Sequence, residues 1–192
     1  ELAVLGKRIG LRLHDMAAIE EFESLINSPN VRESALQAFF EEHPDFLLGA
    51  DYEKLYPQIV LSRSEQSELR PDFLLKPLRG VSYEPAIVEL KLPGQPVIKP
   101  TPRREGLYAN VNEAVMQLRT YASYFREHDN REYVRRALGF TAYRPRLVLV
   151  VGRTVDIADE ATRAAVFDSI SPVELVTYED ILAKYRRLVL PR

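Results

Sequence analysis

The 192-residue chain has no cysteine and only three histidines, His14, His43 and His128, far apart in sequence. Without cysteine there are no disulfides, no cysteine-based zinc sites and no thiol catalysis, a composition that suits a reducing cytoplasm. Three scattered histidines are too few for a histidine-rich metal site. No run of 18 apolar residues occurs, so no transmembrane helix is expected, and no signal-peptide pattern opens the chain. An initial Met is also lacking, and the chain is read as a fragment of something longer, with an N-terminal regulatory region outside it.

What is present is ordinary globular material, 46% hydrophobic and 28% charged, enough for one domain with a proper core and an appendage. The net charge of −2 argues against a nucleic-acid partner, but its distribution is uneven. Residues 1–98 carry 10 basic against 16 acidic side chains, residues 99–146 carry 10 against 5, and residues 147–192 carry 6 against 7. A basic middle segment in a near-neutral chain suits local phosphate contacts; a solvated, salt-bridged helical face reads equally well.

The patterns predict a helix over Asp15–Asn27, N-capped by Asp15, and a second over Val31–His43. Strands follow at Tyr56–Leu61, Pro71–Leu75 and Ala86–Leu92, joined by short polar segments that favour an antiparallel meander. The stretch Leu92–Arg104, with four prolines and a glycine, reads as an irregular loop. Tyr108–His128 is one long helix. Arg146–Gly152 is a continuous apolar run, buried on both faces. A helix near Ala158–Ser169, a strand near Val173–Val176 and a helix from Tyr178 complete the chain. The long helix between the third and fourth strands implies a crossover between parallel strands, hence an α/β fold with a mixed central sheet and helices on both faces.

Two of these strands carry acids where core residues belong: Asp72 at the head of one and Glu89 on the next, with Lys91 two residues on. Alternation puts Glu89 and Lys91 on one face and Val88 and Leu90 on the other. If the strands pair, Asp72 sits beside Glu89. Two buried carboxylates repel unless something compensates, and a divalent cation does. Two carboxylates and a backbone carbonyl, that of Leu90, leave room for water, which suits Mg²⁺, with Mn²⁺ as a substitute. The competing reading is an internal salt-bridge cluster of the same three residues.

Pro71-Asp72 followed by Glu89-Leu90-Lys91, in this order of helices and strands, resembles the PD-(D/E)xK nuclease superfamily. A closer resemblance is to the nuclease domain of the Shedu anti-phage defence proteins. It runs from about Val31 to Leu182 through ESALQAFFEEHPDFLLG, PDFLL, IVELKLPG, AVMQLRTYASYF, PRLVLVVGR and VTYEDIL. The resemblance implies a restriction-endonuclease-like fold (an α-β-β-β-α-β core), Mg²⁺-dependent endonucleolytic cleavage of DNA, a role in limiting phage, and a homo-oligomer. It implies Asp72 and Glu89 as metal ligands and Lys91 as the catalytic lysine. The domain would occupy 30–192, with 1–29 as a helical extension; the apolar stretch Ala17–Ile26 is expected to lie outside the nuclease core.

Gln117 and Tyr121, four apart on the crossover helix, share a face and look like the superfamily's Gln-x-x-x-Tyr; Gln117 would place phosphate or water, and Tyr121 would bond phosphate or pack beneath Lys91. Glu33 is the candidate helix acid, or simply a first-turn acid favouring the helix dipole. His43, before Pro44, reads as a capping or packing residue. Arg103, Arg104 and Arg119 are the candidate DNA-backbone contacts. Two further readings stand beside the defence nuclease: a non-catalytic nucleic-acid-binding or oligomerising module, and a housekeeping repair or junction nuclease.

Overall fold

Along the chain run α1 (Leu2–Asn27), α2 (Glu33–Glu42), α3 (Asp45–Leu48), β1 (Tyr52–Pro57), β2 (Phe73–Pro77), β3 (Ala86–Leu90), β4 (Ile98–Lys99), β5 (Gly106–Leu107), α4 (Ala109–Tyr124), α5 (His128–Leu138), β6 (Arg146–Val150), α6 (Glu160–Ile170), β7 (Val173–Val176) and α7 (Tyr178–Val189). The computed structural model describes residues 2–61, 69–78, 84–99, 106–154 and 159–190, with side chains from His14 onward. Arg103 and Arg104 lie outside the described residues. No helix among the described residues is long and apolar enough to cross a membrane.

Five strands form one sheet in the order β1-β2-β3-β6-β7. The first three pair antiparallel, as their short connections predict. β6 joins β3 in parallel, and β7 joins β6 in parallel, because each connection carries a helix long enough to return the chain to the same end. The fold is therefore α/β, with a mixed sheet covered by helices on both faces.

Alternation sorts each strand between two cores. On one face, Leu74, Ile87, Leu147 and Leu149 pack against Val111, Ala114, Val115, Leu118 and Tyr121 of α4. On the other, Phe73, Leu75, Val88, Leu90 and Val150 pack against α1, α2, α3 and α7. The second core is rich in rings: Phe22, Phe39, Phe40 and Phe46 lie within 6 Å of one another in several pairs, and Phe22 and Phe40 are fully buried. Each such ring stabilises the fold by roughly 1.5–3 kcal/mol through removal from water.

The elements differ from the sequence expectations in three places. α1 begins at Leu2, not Asp15; Asp15 is mid-helix, and its carboxylate accepts the Tyr185 hydroxyl at 3.0 Å. Ala18, Ile19, Phe22 and Ile26 of α1 are buried in the second core, which corrects the expectation that Ala17–Ile26 lies outside it: the helical stripe finds its apolar partner within the same chain. The predicted long helix is two, α4 and α5, broken at Phe125–Glu127. The break is held by side chains of α5, where Asn130 donates to the Tyr124 carbonyl (2.9 Å) and Arg131 to those of Phe125 and Arg126 (2.8 and 2.6 Å), satisfying carbonyls that a helix end leaves open. Finally, β1 lies four residues earlier than predicted and ends before Gln58, whose φ of 42° turns the chain out of the sheet.

Candidate active site

The β2–β3 register pairs Phe73 with Val88, so the next position outward brings Asp72 opposite Glu89. Both belong to the face covered by α4, in line with Leu74 and Ile87. Asp72 does more than face its neighbour: its Oδ2 accepts the Leu90 amide at 2.7 Å. Lys91 donates its own amide to Val150 of β6 at 2.8 Å. Because successive peptides alternate direction along a strand, the Leu90 carbonyl is turned to the β2 side, the side of Asp72. The Asp72 carbonyl in turn accepts the Gln58 amide at 2.9 Å. The acid thus sits on backbone held by both neighbouring strands.

Glu89 is 3% exposed, as deep as the apolar residues that flank it. Its Oε1 accepts the Lys91 ammonium at 3.1 Å, and its Oε2 is buried with no hydrogen-bond partner among the described residues. Burial, then the charge of Asp72, pushes its carboxyl up to about 7, against the pull of Lys91. Burial likewise raises Asp72, although the Leu90 amide and Lys91 oppose it. For Lys91 burial presses downward, but the charge and hydrogen bond of Glu89, with Glu33 and Asp72, outweigh it and hold the ammonium above the ordinary range. Two acids that resist ionising together, beside a lysine that stays charged, form a site short of positive charge.

Glu33 opens α2 and is exposed. Its charge reaches Asp72, Glu89 and Lys91, so the helix acid lies within electrostatic range of the carboxylates while it also occupies the first turn, where the helix dipole favours it. Gln117 and Tyr121 share a face as predicted, with the Gln117 amide donating to the Tyr121 hydroxyl at 2.6 Å. That hydroxyl then donates to the Arg70 carbonyl at 3.0 Å. Tyr121 is buried, and burial pushes its hydroxyl up to about 12. Its oxygen is therefore engaged with the chain just before Asp72, within reach of the charges of Glu89 and Asp72. Arg119 lies two residues from Gln117, about 200° around the helix, and donates to the Ser171 carbonyl at 3.0 Å; it is not brought to the carboxylates. His43 caps α2 with its amide on Phe39 and packs against the Phe39 ring in a tilted arrangement, 4.7 Å between centroids, as the sequence suggested.

Two residues near the site escaped sequence reasoning. Gln58 supplies the amide that holds the Asp72 carbonyl, and its side chain donates to Gln37 of α2 at 2.9 Å; a positive φ at a non-glycine leaves no signature in sequence. Tyr178 donates its hydroxyl to the Lys91 carbonyl at 2.5 Å. It lies in the VTYEDIL segment, directly after a Thr177 N-cap that a sequence reader can recognise.

Asp72, Glu89 and the Leu90 carbonyl offer oxygen donors only, the ligand type a hard divalent cation takes. Glu89 Oε2 is buried and unsatisfied, Asp72 stands opposite, and the Leu90 carbonyl is turned to the same edge. Among the described residues no group of three or more His, Cys, Asp or Glu side chains is placed to hold a metal ion, so protein side chains alone would supply two carboxylates. Two carboxylates and a carbonyl, with water filling the rest, suit Mg²⁺ rather than a fully protein-bound ion. A cavity of about 410 Å³ elsewhere in the fold is lined by Leu75, Ala86, Val88, Val148 and Val150, residues that face away from Glu89, so it is separate from the carboxylates.

No curated protein matches the chain. The family described as "Shedu protein SduA, C-terminal" matches residues 30–182, a span that holds every site residue described above. The chain therefore belongs to the Shedu SduA C-terminal family, a membership that suggests a role in anti-phage defence.

Proposed function

We propose that this domain is a divalent-metal-dependent DNA endonuclease of the PD-(D/E)xK type, with the restriction-endonuclease-like core, acting in anti-phage defence. The observation that carries the reading is the buried Oε2 of Glu89, without a partner among the described residues, beside Asp72 and Lys91. A salt-bridge cluster that served structure alone would be expected to pair both oxygens, since an unsatisfied buried carboxylate oxygen is costly.

Asp72, Glu89 and the Leu90 carbonyl would hold the cation, with Mg²⁺ the natural occupant and Mn²⁺ a substitute. When bound, such a cation supplies Lewis-acid charge to a phosphoryl oxygen and acidifies water. The protein supplies the rest. The carboxylates lie on adjacent strands that fix their spacing. Lys91, kept protonated beside Glu89, offers positive charge where negative charge grows on the phosphate as water adds to phosphorus and the ester oxygen departs. Gln117 has its amide on Tyr121 and orients phosphate or the attacking water. Glu33 adds an acidic group at the entrance. Arg103 and Arg104 would grip the DNA backbone.

The test is incubation of supercoiled plasmid, linear duplex and single strands with the protein, with and without Mg²⁺ or Mn²⁺. Cleavage that needs the metal and vanishes in Asp72→Ala, with partial rescue by excess metal, supports the reading. A wild type that binds DNA but cuts none of these forms under any divalent cation would replace it with a binding module.

A further inference from the structure

We propose that Tyr178 is a positioning residue for Lys91, holding the lysine's backbone so that its ammonium stays on Glu89. The inference rests on the nuclease reading for its meaning, but the geometry is independent of it. Lys91 is the first residue past the end of β3. Its amide is still on the ladder, bonded to Val150 at 2.8 Å. Its carbonyl has left the ladder, and there the Tyr178 hydroxyl takes it at 2.5 Å. Both ends of the Lys91 residue are thereby tied, which fixes the direction of its side chain. The Leu92 carbonyl accepts the Gly152 amide at 3.3 Å and the Gln95 amide at 3.1 Å, so the hydroxyl fixes the one peptide between these ties, where the strand gives way to the Leu92–Gln95 turn.

Tyr178 is itself anchored. It is the first residue of α7, immediately after Thr177, which forms a capping box with Asp180: the Thr177 amide donates to Asp180 at 3.1 Å and the Asp180 amide to Thr177 Oγ1 at 3.2 Å. The helix start is set by β7, whose Val176 carbonyl accepts the Val151 amide at 3.1 Å. The ring is 0% exposed and packs near Phe22, in the core that also holds Leu90. A hydroxyl this deep cannot reach substrate, so its action must pass through Lys91.

The contrast with Tyr121 sharpens the assignment. Tyr121 comes from α4, on the opposite face of the sheet, and donates to the Arg70 carbonyl, two residues before Asp72. Each strand of the site thus has its outer end held by one tyrosine hydroxyl, from opposite faces. Tyr121 holds the chain that leads into Asp72; Tyr178 holds the Lys91 carbonyl, one peptide beyond the Leu90 carbonyl and two residues past Glu89, so its loss falls on the lysine before it falls on the oxygens that would hold metal.

Tyr178→Phe keeps the ring and removes one oxygen. Expected are an unchanged far-UV spectrum, Mn²⁺ affinity within about twofold of wild type, and single-turnover cleavage at saturating metal reduced by about tenfold or more, as misplacement of a catalytic group produces. Excess metal should not restore it. Tyr121→Phe should show the reverse, weaker Mn²⁺ binding and cleavage restored by metal. A second readout needs no turnover: the Lys91 Cε resonance, assigned by its loss in Lys91→Ala, should move toward the free-lysine position in Tyr178→Phe and stay in Tyr121→Phe. If wild type neither binds Mn²⁺ nor cuts DNA, the nuclease reading fails while the resonance still tests the positioning. A Lys91 resonance unmoved in Tyr178→Phe overturns the inference. So does cleavage at the wild-type rate, or a loss that excess metal restores or that tracks a loss of folded protein.

Discussion

The two faces of β3 present the same strand with opposite purposes. Val88 and Leu90 point into the aromatic core beside α7; Ile87, Glu89 and Lys91 point toward α4, and the last two are charged. Val88 and Glu89 are buried almost equally, 1% and 3% exposed. On the Val88 face burial stabilises the chain. On the Glu89 face it works against the chain, because it raises two carboxyls and leaves one oxygen unsatisfied. The comparison teaches that depth alone does not mark core. The strand is rigid because one face is packed with rings, and that rigidity lets the other face hold charges that water would otherwise separate.

Breaking the packed face should have the largest effect. Phe40→Ala removes a fully buried ring and should destabilise the fold by about 3–5 kcal/mol, read as a fall in the denaturation midpoint. Breaking the charged face should show first in cleavage. Lys91→Ala should lower cleavage on the order of 10²-fold or more, about 2.7 kcal/mol in barrier. Mn²⁺ binding should survive, excess metal should not rescue cleavage, and single-turnover kinetics at saturating metal would measure it. A Lys91→Ala protein that cuts at the wild-type rate would erase the distinction between the faces.

The burial imposed on Glu89 should be visible in pH dependence. Its folded carboxyl sits near 7 against an ordinary 4.5, so the folded state keeps its proton where the unfolded state has lost it. Below about pH 4.5 both states are protonated and Glu89→Gln should change little. Between there and pH 7 wild-type stability declines through this group, and above pH 7 the metal-free Gln variant should be more stable by roughly 1–3 kcal/mol. Mg²⁺ should reverse the order by binding the wild-type folded state. Urea melts at pH 4 and pH 8, with EDTA and with Mg²⁺, would show it; equal stabilities at pH 8 in EDTA would remove the burden assigned to Glu89.

The smallest effect concerns neither face. Reversing the charge of Arg103 and Arg104 should weaken DNA binding several-fold for every sequence tested and flatten its salt dependence. Fluorescence anisotropy at two salt concentrations would check it. Arg119→Glu should do less to binding, since that guanidinium is tied to the Ser171 carbonyl.

The sequence by itself carried the strand alternation that separates Glu89 and Lys91 from Val88 and Leu90, the four-residue spacing that joins Gln117 to Tyr121, and the helix between parallel strands. These are local periodicities, 2 along a strand and 3.6 along a helix, and each is complete within a short window. Tertiary structure decided what depends on a distant partner. The break between α4 and α5 has no glycine or proline to announce it; it exists because Asn130 and Arg131 take up the carbonyls at the end of α4. The place of α1 in the core follows from where α2 and α7 present their rings. The engagement of the Tyr121 hydroxyl with Arg70, and of Tyr178 with Lys91 87 positions away, could not be read from spacing. A hydrogen bond is a matter of an ångström, and only the packing of helices on a sheet sets which oxygen comes within reach.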